Sequence, residues 1–214
     1  MVYAVAMLMG LGNTAFLGLP LIALLLGEDY LVPAIIYDQF GSSMLLFIVL
    51  PVVVALLSKS DSARVSIWSI GKKILMFPPF VTLLLALLIP STNTLGLLYP
   101  IFVAVAKTIA PLAMLVVGLQ FYFRIERNYH VPILAVLCFR SLIAPLFVFA
   151  IGGALSVSSL HVYAAIMQSA MPPMITAVII LASEGIAARF VTSMLGVGTL
   201  VACVTLPLLS LLLN

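Results

Sequence analysis

Apolar residues run along this chain in long blocks, and polar residues cluster between the blocks rather than alternating within them. Divided at the polar clusters, the blocks fall at roughly 2–26, 32–57, 68–90, 97–122, 131–154, 160–182 and 188–212. Each approaches the ~20 mostly apolar residues that a helix needs to cross a bilayer. Strands of a membrane barrel would be about 10 residues long and would alternate. The pattern therefore predicts an all-α integral membrane chain of about seven transmembrane helices.

Composition agrees. Of the 214 residues, 65% are hydrophobic and 7% charged, where a soluble domain carries about 25% charged residues. Too few charges are present to cover a water-facing surface, so the lipid bilayer is the expected solvent. No basic run of the kind that nucleic acid requires is present. Cys138 and Cys203 lie in different apolar blocks, without metal spacing or a disulfide framework, and read as small buried hydrophobes. No cofactor or metal is expected. Met1 leads directly into apolar sequence, so no cleavable signal peptide is expected.

Charge placement says more than the net +3. Lys59, Arg64, Lys72 and Lys73 face only Asp61 in one connection; Arg124 and Arg127 flank Glu126 in another; Arg189 lies in a third. The alternate connections are acidic (Glu28, Asp29) or carry no Lys or Arg (90–96 and 156–161). By the positive-inside rule, the loops after the second, fourth and sixth helices face the cytoplasm. The first helix then runs outward and the C-terminus lies outside, in the cell (inner) membrane.

A repeat is hidden in the punctuation. Gly12-Asn13-Thr14-Ala15-Phe16-Leu17-Gly18-Leu19-Pro20 is followed by apolar residues, a turn at Gly27-Glu28 and a helix meeting Pro51. Gln168-Ser169-Ala170-Met171-Pro172-Pro173 is followed by apolar residues, a turn at Ser183-Glu184-Gly185 and a helix meeting Pro207. Each unit opens with a helix broken near its middle, and the charge pattern runs the two in opposite directions. Inverted repeats with interrupted helices are a recurring transporter design, with substrate near the midplane. Proline removes a backbone donor and clashes one turn back. In lipid the freed groups are tolerated only against protein or a wet cavity, and half-helix N-termini suit an anion. A simple kink is the competing reading for each break, as helix–helix glue is for Asn13.

Three ionisable residues interrupt the blocks. A charge at mid-membrane costs at least about 2.5–3.5 kcal/mol, so Asp38, Lys107 and Arg140 should face protein or water. Arg140 reads either as an attractor of anions or as half of a structural pair, with Asp38 as its partner. Lys107 reads as a side chain reaching for the interface. Asp38, beside Gln39, is the candidate coupling residue. His130 and His161 lie at helix ends and read as interfacial. Intramembrane catalysis needs paired aspartates, a Ser/His pair or zinc ligands; Asp38 has no acidic partner within the blocks, and no enzyme is expected.

Asn13-Thr14-Ala15-Phe16-Leu17-Gly18-Leu19-Pro20 resembles the Asn-x-Gly-Phe-x-Gly-x-Pro signature of the auxin efflux carrier family, which includes plant PIN carriers and bacterial malate-permease-like proteins. Ala110-Pro111-Leu112-Ala113-Met114-Leu115-Val116-Val117-Gly118 resembles that family's Ala-Pro-Leu-Ala-x-x-x-x-Gly helix, and Ala170-Met171-Pro172-Pro173, with Glu184 following, its second broken helix. The resemblance implies a ten-helix fold of two inverted five-helix repeats, similar to bile-acid-symporter and sodium–proton-antiporter folds. It implies a scaffold and a transport domain, elevator-like motion, and a homodimer through the scaffold.

On that pattern residues 1–57 are the last two helices of the first repeat, 58–73 a cytoplasmic loop, 74–122 scaffold helices and 131–214 transport-domain helices. On that pattern the chain starts at the expected fourth helix, and three helices are expected to be absent. The implied activity is secondary transport of small organic anions, dicarboxylates or auxin-like acids, driven by membrane potential or protons. A sodium-coupled bile-acid-type symporter and a membrane module needing a partner chain are the alternatives. Asn13 matches the family's carboxylate-binding Asn, and Pro172 its second crossing proline. The first crossing proline is replaced by Gly12, and Ala15 stands where bacterial relatives usually have Gly. The candidate substrate site is Asn13, Thr14, Gln168, Pro172 and Arg140. The candidate hinge residues are Gly12, Gly18, Pro20, Pro172 and Pro173.

Overall fold

The computed structural model describes residues 1–57, 76, 78–89, 96, 98–119 and 126–213. The basic connection holding Lys59, Arg64, Lys72 and Lys73 lies outside the described residues, as does Arg124. Among the described residues the secondary structure is helical: α1 (Val2–Gly10), α2 (Leu19–Leu25), α3 (Leu31–Tyr37), α4 (Leu50–Leu57), α5 (Pro78–Leu88), α6 (Leu98–Leu119), α7 (His130–Cys138), α8 (Ala144–Ala154), α9 (Ser159–Ser169), α10 (Ile175–Ser183) and α11 (Ala188–Leu213).

Three helical runs are long and apolar enough to cross a membrane: Glu28–Val54, His130–Ala154 and Ala188–Leu213. The two broken segments divide into halves too short to cross alone. Nine residues of α1 rise only about 14 Å, against a hydrocarbon core of ~30 Å. Large apolar side chains such as Leu24, Leu88, Phe102, Phe147 and Leu212 are exposed over the surface, as a lipid-facing chain requires.

Prolines set the local geometry of these helices. π-Turns occupy Thr14–Gly18, Leu45–Val49 and Phe139–Ile143. In each, the residue that closes the turn immediately precedes a proline. Leu19, Leu50 and Ala144 donate their N–H five residues back, to Thr14, Leu45 and Phe139. Pro20, Pro51 and Pro145 follow. A proline ring clashes with the carbonyl four residues back; widening the preceding turn to i→i+5 relieves the clash without ending the helix. Pro111 and Pro207 lie within α-helices that continue through them. A fourth π-turn, Asp38–Ser42, has no such proline, and Ser43 N–H donates to the Asp38 carbonyl.

The broken segments cross. Gly12 and Pro173 form an antiparallel backbone bridge. On one side of the crossing, Ala4 and Leu8 of α1 pack with Ala177, Val178 and Leu181 of α10 in an apolar cluster that includes Val136 and Phe190. On the other, Leu17 and Ile22 of the first segment pack with Ala164 and Met167 of α9, Ala34 of α3, and Ala202 and Leu206 of α11. The long helix α11 therefore runs past both clusters. The two turns expected from sequence are present, each at a glycine with positive φ: Gly27 at 108° and Gly185 at 70°. Glycine occupies that region without steric cost.

Candidate functional site

Where both helices unwind, the backbone groups that lose their partners find one another. In a continuous helix the Asn13 N–H would reach the Met9 carbonyl. Instead it donates to the Pro172 carbonyl at 2.7 Å, and the Met174 N–H donates to the Leu11 carbonyl at 2.9 Å. This leaves the Met9 carbonyl without its helical donor. The Met171 carbonyl lies just past the end of α9, at the start of the second unwound stretch. Arg140 takes both: its Nε donates to the Met171 carbonyl at 2.6 Å and an Nη to the Met9 carbonyl at 3.0 Å. The two first half-helices end at this point, so one guanidinium meets two negative dipole ends.

Gly12 makes that fit possible. A methyl group at residue 12 would overlap the Arg140 guanidinium, whose atoms are the three nearest to it outside the neighbouring chain. The expected pairing of Arg140 with Asp38 is not what brings Arg140 inward. Among the described residues the ion pair is Arg189–Glu126 at 3.0 Å, near the surface. Arg140 is held by carbonyls, and it also lines a cavity of about 490 Å³ with Met9, Gly10, Tyr37, Phe139 and Ser169.

Asp38 occupies the opposite electrostatic position. Its carboxylate is buried and accepts hydrogen bonds from Thr14 Oγ1 at 2.5 Å, Gln39 Nε2 at 2.7 Å and Ser43 Oγ at 3.5 Å. Thr14 is the first residue of the second half-helix, so the anion meets a positive dipole end. Asp38 lines a cavity of about 130 Å³ with Asn13, Phe16, Gln39, Ser43 and Thr176. Among the described residues the Asn13 carboxamide makes no hydrogen bond, and the residue is 3% exposed. Its amide is thus held in place by backbone alone and is available to a ligand.

Gln168 goes elsewhere. Its Nε2 donates to the Ala34 carbonyl at 3.1 Å, and its Oε1 presses on Gly18, where a methyl group would overlap it. The sequence reading placed Gln168 with Asn13; the structure instead uses it to tie α9 to α3 and to the first broken segment, outside the Asn13 cavity. The reason is rotational: Gln168 precedes the unwound stretch and points along the intact face of α9. Pro172 contributes a carbonyl to the crossing, and Pro173 the bridge. Lys107 is on an exposed face of α6. Sequence reasoning singled out Gln39 with Asp38, but missed Ser43 and the meeting of all three with Asn13 at one cavity. Their polarity within an apolar block was the available signal.

A protein of Methanothermobacter thermautotrophicus (strain Delta H) described as an uncharacterized transporter is 27% identical over 202 residues, covering 94% of this chain and 65% of its own length. The chain thus spans about two thirds of the length of that relative. No solved structure matches. The Membrane transport protein family matches across residues 3–210, so this chain, with its crossed and interrupted helices, belongs to that family of auxin-efflux-carrier-like transporters.

Proposed function

We propose that the chain carries the substrate crossing of a secondary transporter for small organic anions, dicarboxylates or auxin-like carboxylic acids. The observation that carries this reading is the free Asn13 carboxamide at the point where two antiparallel broken helices meet. An uncharged amide can hold a carboxylate by hydrogen bonds and still release it, as a carrier must. The N-termini that follow both breaks add about half a positive charge each. Alternating access follows from movement of the crossed pair against scaffold helices, in a ten-helix inverted-repeat arrangement with a homodimer through the scaffold. Asp38 is the coupling residue. Arg140 holds the crossing together from the opposite side, and Gly12, Gly18, Pro20, Pro172 and Pro173 shape the hinge.

The antiparallel sense of the crossing supports the inverted repeat. The Arg189–Glu126 contact supports placing the loops after the fourth and sixth helices on one membrane face, cytoplasmic by their charge, with the C-terminus outside the inner membrane. The second reading is a membrane module that transports only with a partner chain.

Uptake of a radiolabelled dicarboxylate and of an aromatic acid into proteoliposomes tests the proposal. Saturable uptake that collapses in Asn13→Ala is the expected result. Well-folded protein that takes up neither substrate would move the weight to the partner-dependent module.

A further inference from the structure

Arg140 has more N–H groups than the crossing uses. A guanidinium carries five. Nε and one Nη give one each to the Met171 and Met9 carbonyls, and the remaining N–H groups have no acceptor among the described residues. The residue is 6% exposed and lines the cavity of about 490 Å³. A buried donor left without an acceptor costs about 1–3 kcal/mol, and more on a charged group. This cavity therefore favours a ligand that is an anion and accepts hydrogen bonds.

The space continues past Arg140. A second cavity of about 350 Å³ shares Tyr37, Phe147 and Val148 with the first. Arg140, Ala144, Phe147 and Ile151 line the pair at spacings of three and four, one face of the helical run, over about 17 Å. Val162, Ala165 and Ser169 line it from α9 at the same spacings. The two helices touch at the far end, where a Cβ on Gly152 would meet the Val162 side chain. Ile36, Phe147 and Ile151 in the walls are exposed, so the groove opens sideways to lipid. Polar groups gather at its ends, with Arg140 and Ser169 at one and His161 at the other. A largely apolar cavity with a few convergent polar groups is the form of a small-molecule site.

One cation and long apolar walls select a single negative charge on an apolar body. A dicarboxylate would press its second charge against apolar side chains. A phospholipid headgroup would have to leave the interface, because Arg140 lies near the middle of the 25-residue span His130–Ala154. We propose that the groove binds a medium-chain fatty acid drawn from the bilayer, its carboxylate on Arg140 and its chain between α8 and α9. The site is separate from the Asn13 cavity and does not rest on the carrier reading.

The test is equilibrium binding of radiolabelled octanoate to the immobilised full chain in a neutral detergent. Saturable binding is expected, displaced by unlabelled octanoate but not by succinate, nor by octanamide, which keeps the chain and lacks the charge. Bound octanoate should also raise the midpoint of thermal unfolding. Gly10 lines the Arg140 cavity, has no positive φ and has open space where a Cβ would stand. Gly10→Leu therefore fills the cavity and leaves the Arg140 hydrogen bonds in place. It should weaken octanoate binding about 10-fold or more, while the unliganded protein unfolds near the wild-type temperature. Arg140→Lys keeps the charge, loses the fork and should weaken binding as well; Gly10→Leu keeps the test decisive where Arg140→Lys does not fold. Absence of saturable binding in folded wild-type protein overturns the proposal, as does binding that Gly10→Leu leaves unchanged. Equal displacement by octanamide would reduce the site to apolar partition and overturn it. Displacement by dihexanoyl phosphatidylglycerol at lower concentration than by octanoate would assign the groove to a phospholipid instead. Loss of octanoate binding in Asn13→Ala would place the acid in the other cavity and also overturn the proposal.

Discussion

Replacing Gly12 by alanine should destabilise the protein through Arg140 and through nothing else. Gly12 has no positive φ, so its backbone conformation is open to alanine. In such a position a Gly→Ala change stabilises by about 0.4–1 kcal/mol, by restricting the unfolded chain. Here the added methyl would occupy the space of the Arg140 guanidinium, which would have to leave the Met9 and Met171 carbonyls. A hydrogen bond to a charged group is worth about 1.5–3 kcal/mol, so losing both costs about 3–6 kcal/mol. Set against the entropic gain, the net loss is about 2–5 kcal/mol.

The assay is a double-mutant cycle read by unfolding of the purified protein in detergent: wild type, Gly12→Ala, Arg140→Ala and the double variant. Arg140→Ala is itself destabilising, because it takes the donor from the Met9 and Met171 carbonyls. In its background the alanine at residue 12 meets no guanidinium, and the sign should reverse: the double variant should be as stable as Arg140→Ala or slightly more stable. A cycle isolates this pairwise term because the two residues share one contact. Should Gly12→Ala cost the same in both backgrounds, the methyl would be colliding with the crossing backbone, and the role given to Arg140 would be wrong.

Other consequences are open to simpler measurements. Gly18→Ala should force Gln168 off its position against that glycine and cost about 1–3 kcal/mol in unfolding free energy, with a smaller cost in a Gln168→Ala background. Asn13→Ala should abolish saturable anion uptake while leaving the thermal unfolding of the protein nearly unchanged, since its carboxamide bonds to no described residue. The Arg189–Glu126 pair is largely exposed, so its coupling energy should fall below about 1 kcal/mol. Glu126→Cys and Arg189→Cys, placed in a chain lacking Cys138 and Cys203, should react with an impermeant thiol reagent from the same side of the membrane. Opposite-side labelling would break the assigned topology.

The breaks were legible in the sequence because glycine and proline act locally. Gly12 beside Asn13, and Pro172-Pro173, remove helical hydrogen bonds whatever surrounds them. The turns at Gly27 and Gly185 were legible for the same reason. Side-chain neighbours were less so, because π-turns shift the helical register. Ser43 reaches Asp38 across five residues, where ordinary helical periodicity places the neighbours at three and four. Residues beyond each such turn are rotated away from the face that a 3.6-residue count assigns. The pattern also gives no means of telling which face of α9 Gln168 would take.

The same geometry explains why Asp38 and Arg140 are both buried and yet separate. A pair of opposite charges inside a bilayer ordinarily seeks each other, since desolvation is the dominant cost. A helix crossing offers a second solution. Each broken helix ends one dipole and begins another at the same point, so the crossing holds two negative and two positive ends. Arg140 satisfies the negative ends through the Met9 and Met171 carbonyls. Asp38 meets a positive end through Thr14. Arg140 is then bound to backbone carbonyls of the crossing and Asp38 to neighbouring side chains, Thr14 of the crossing among them, rather than to each other. A direct Asp38–Arg140 ion pair would have left four dipole ends uncompensated in lipid. Keeping the charges apart leaves one face of the crossing held by a cation, and the other lined by a buried carboxylate beside Asn13.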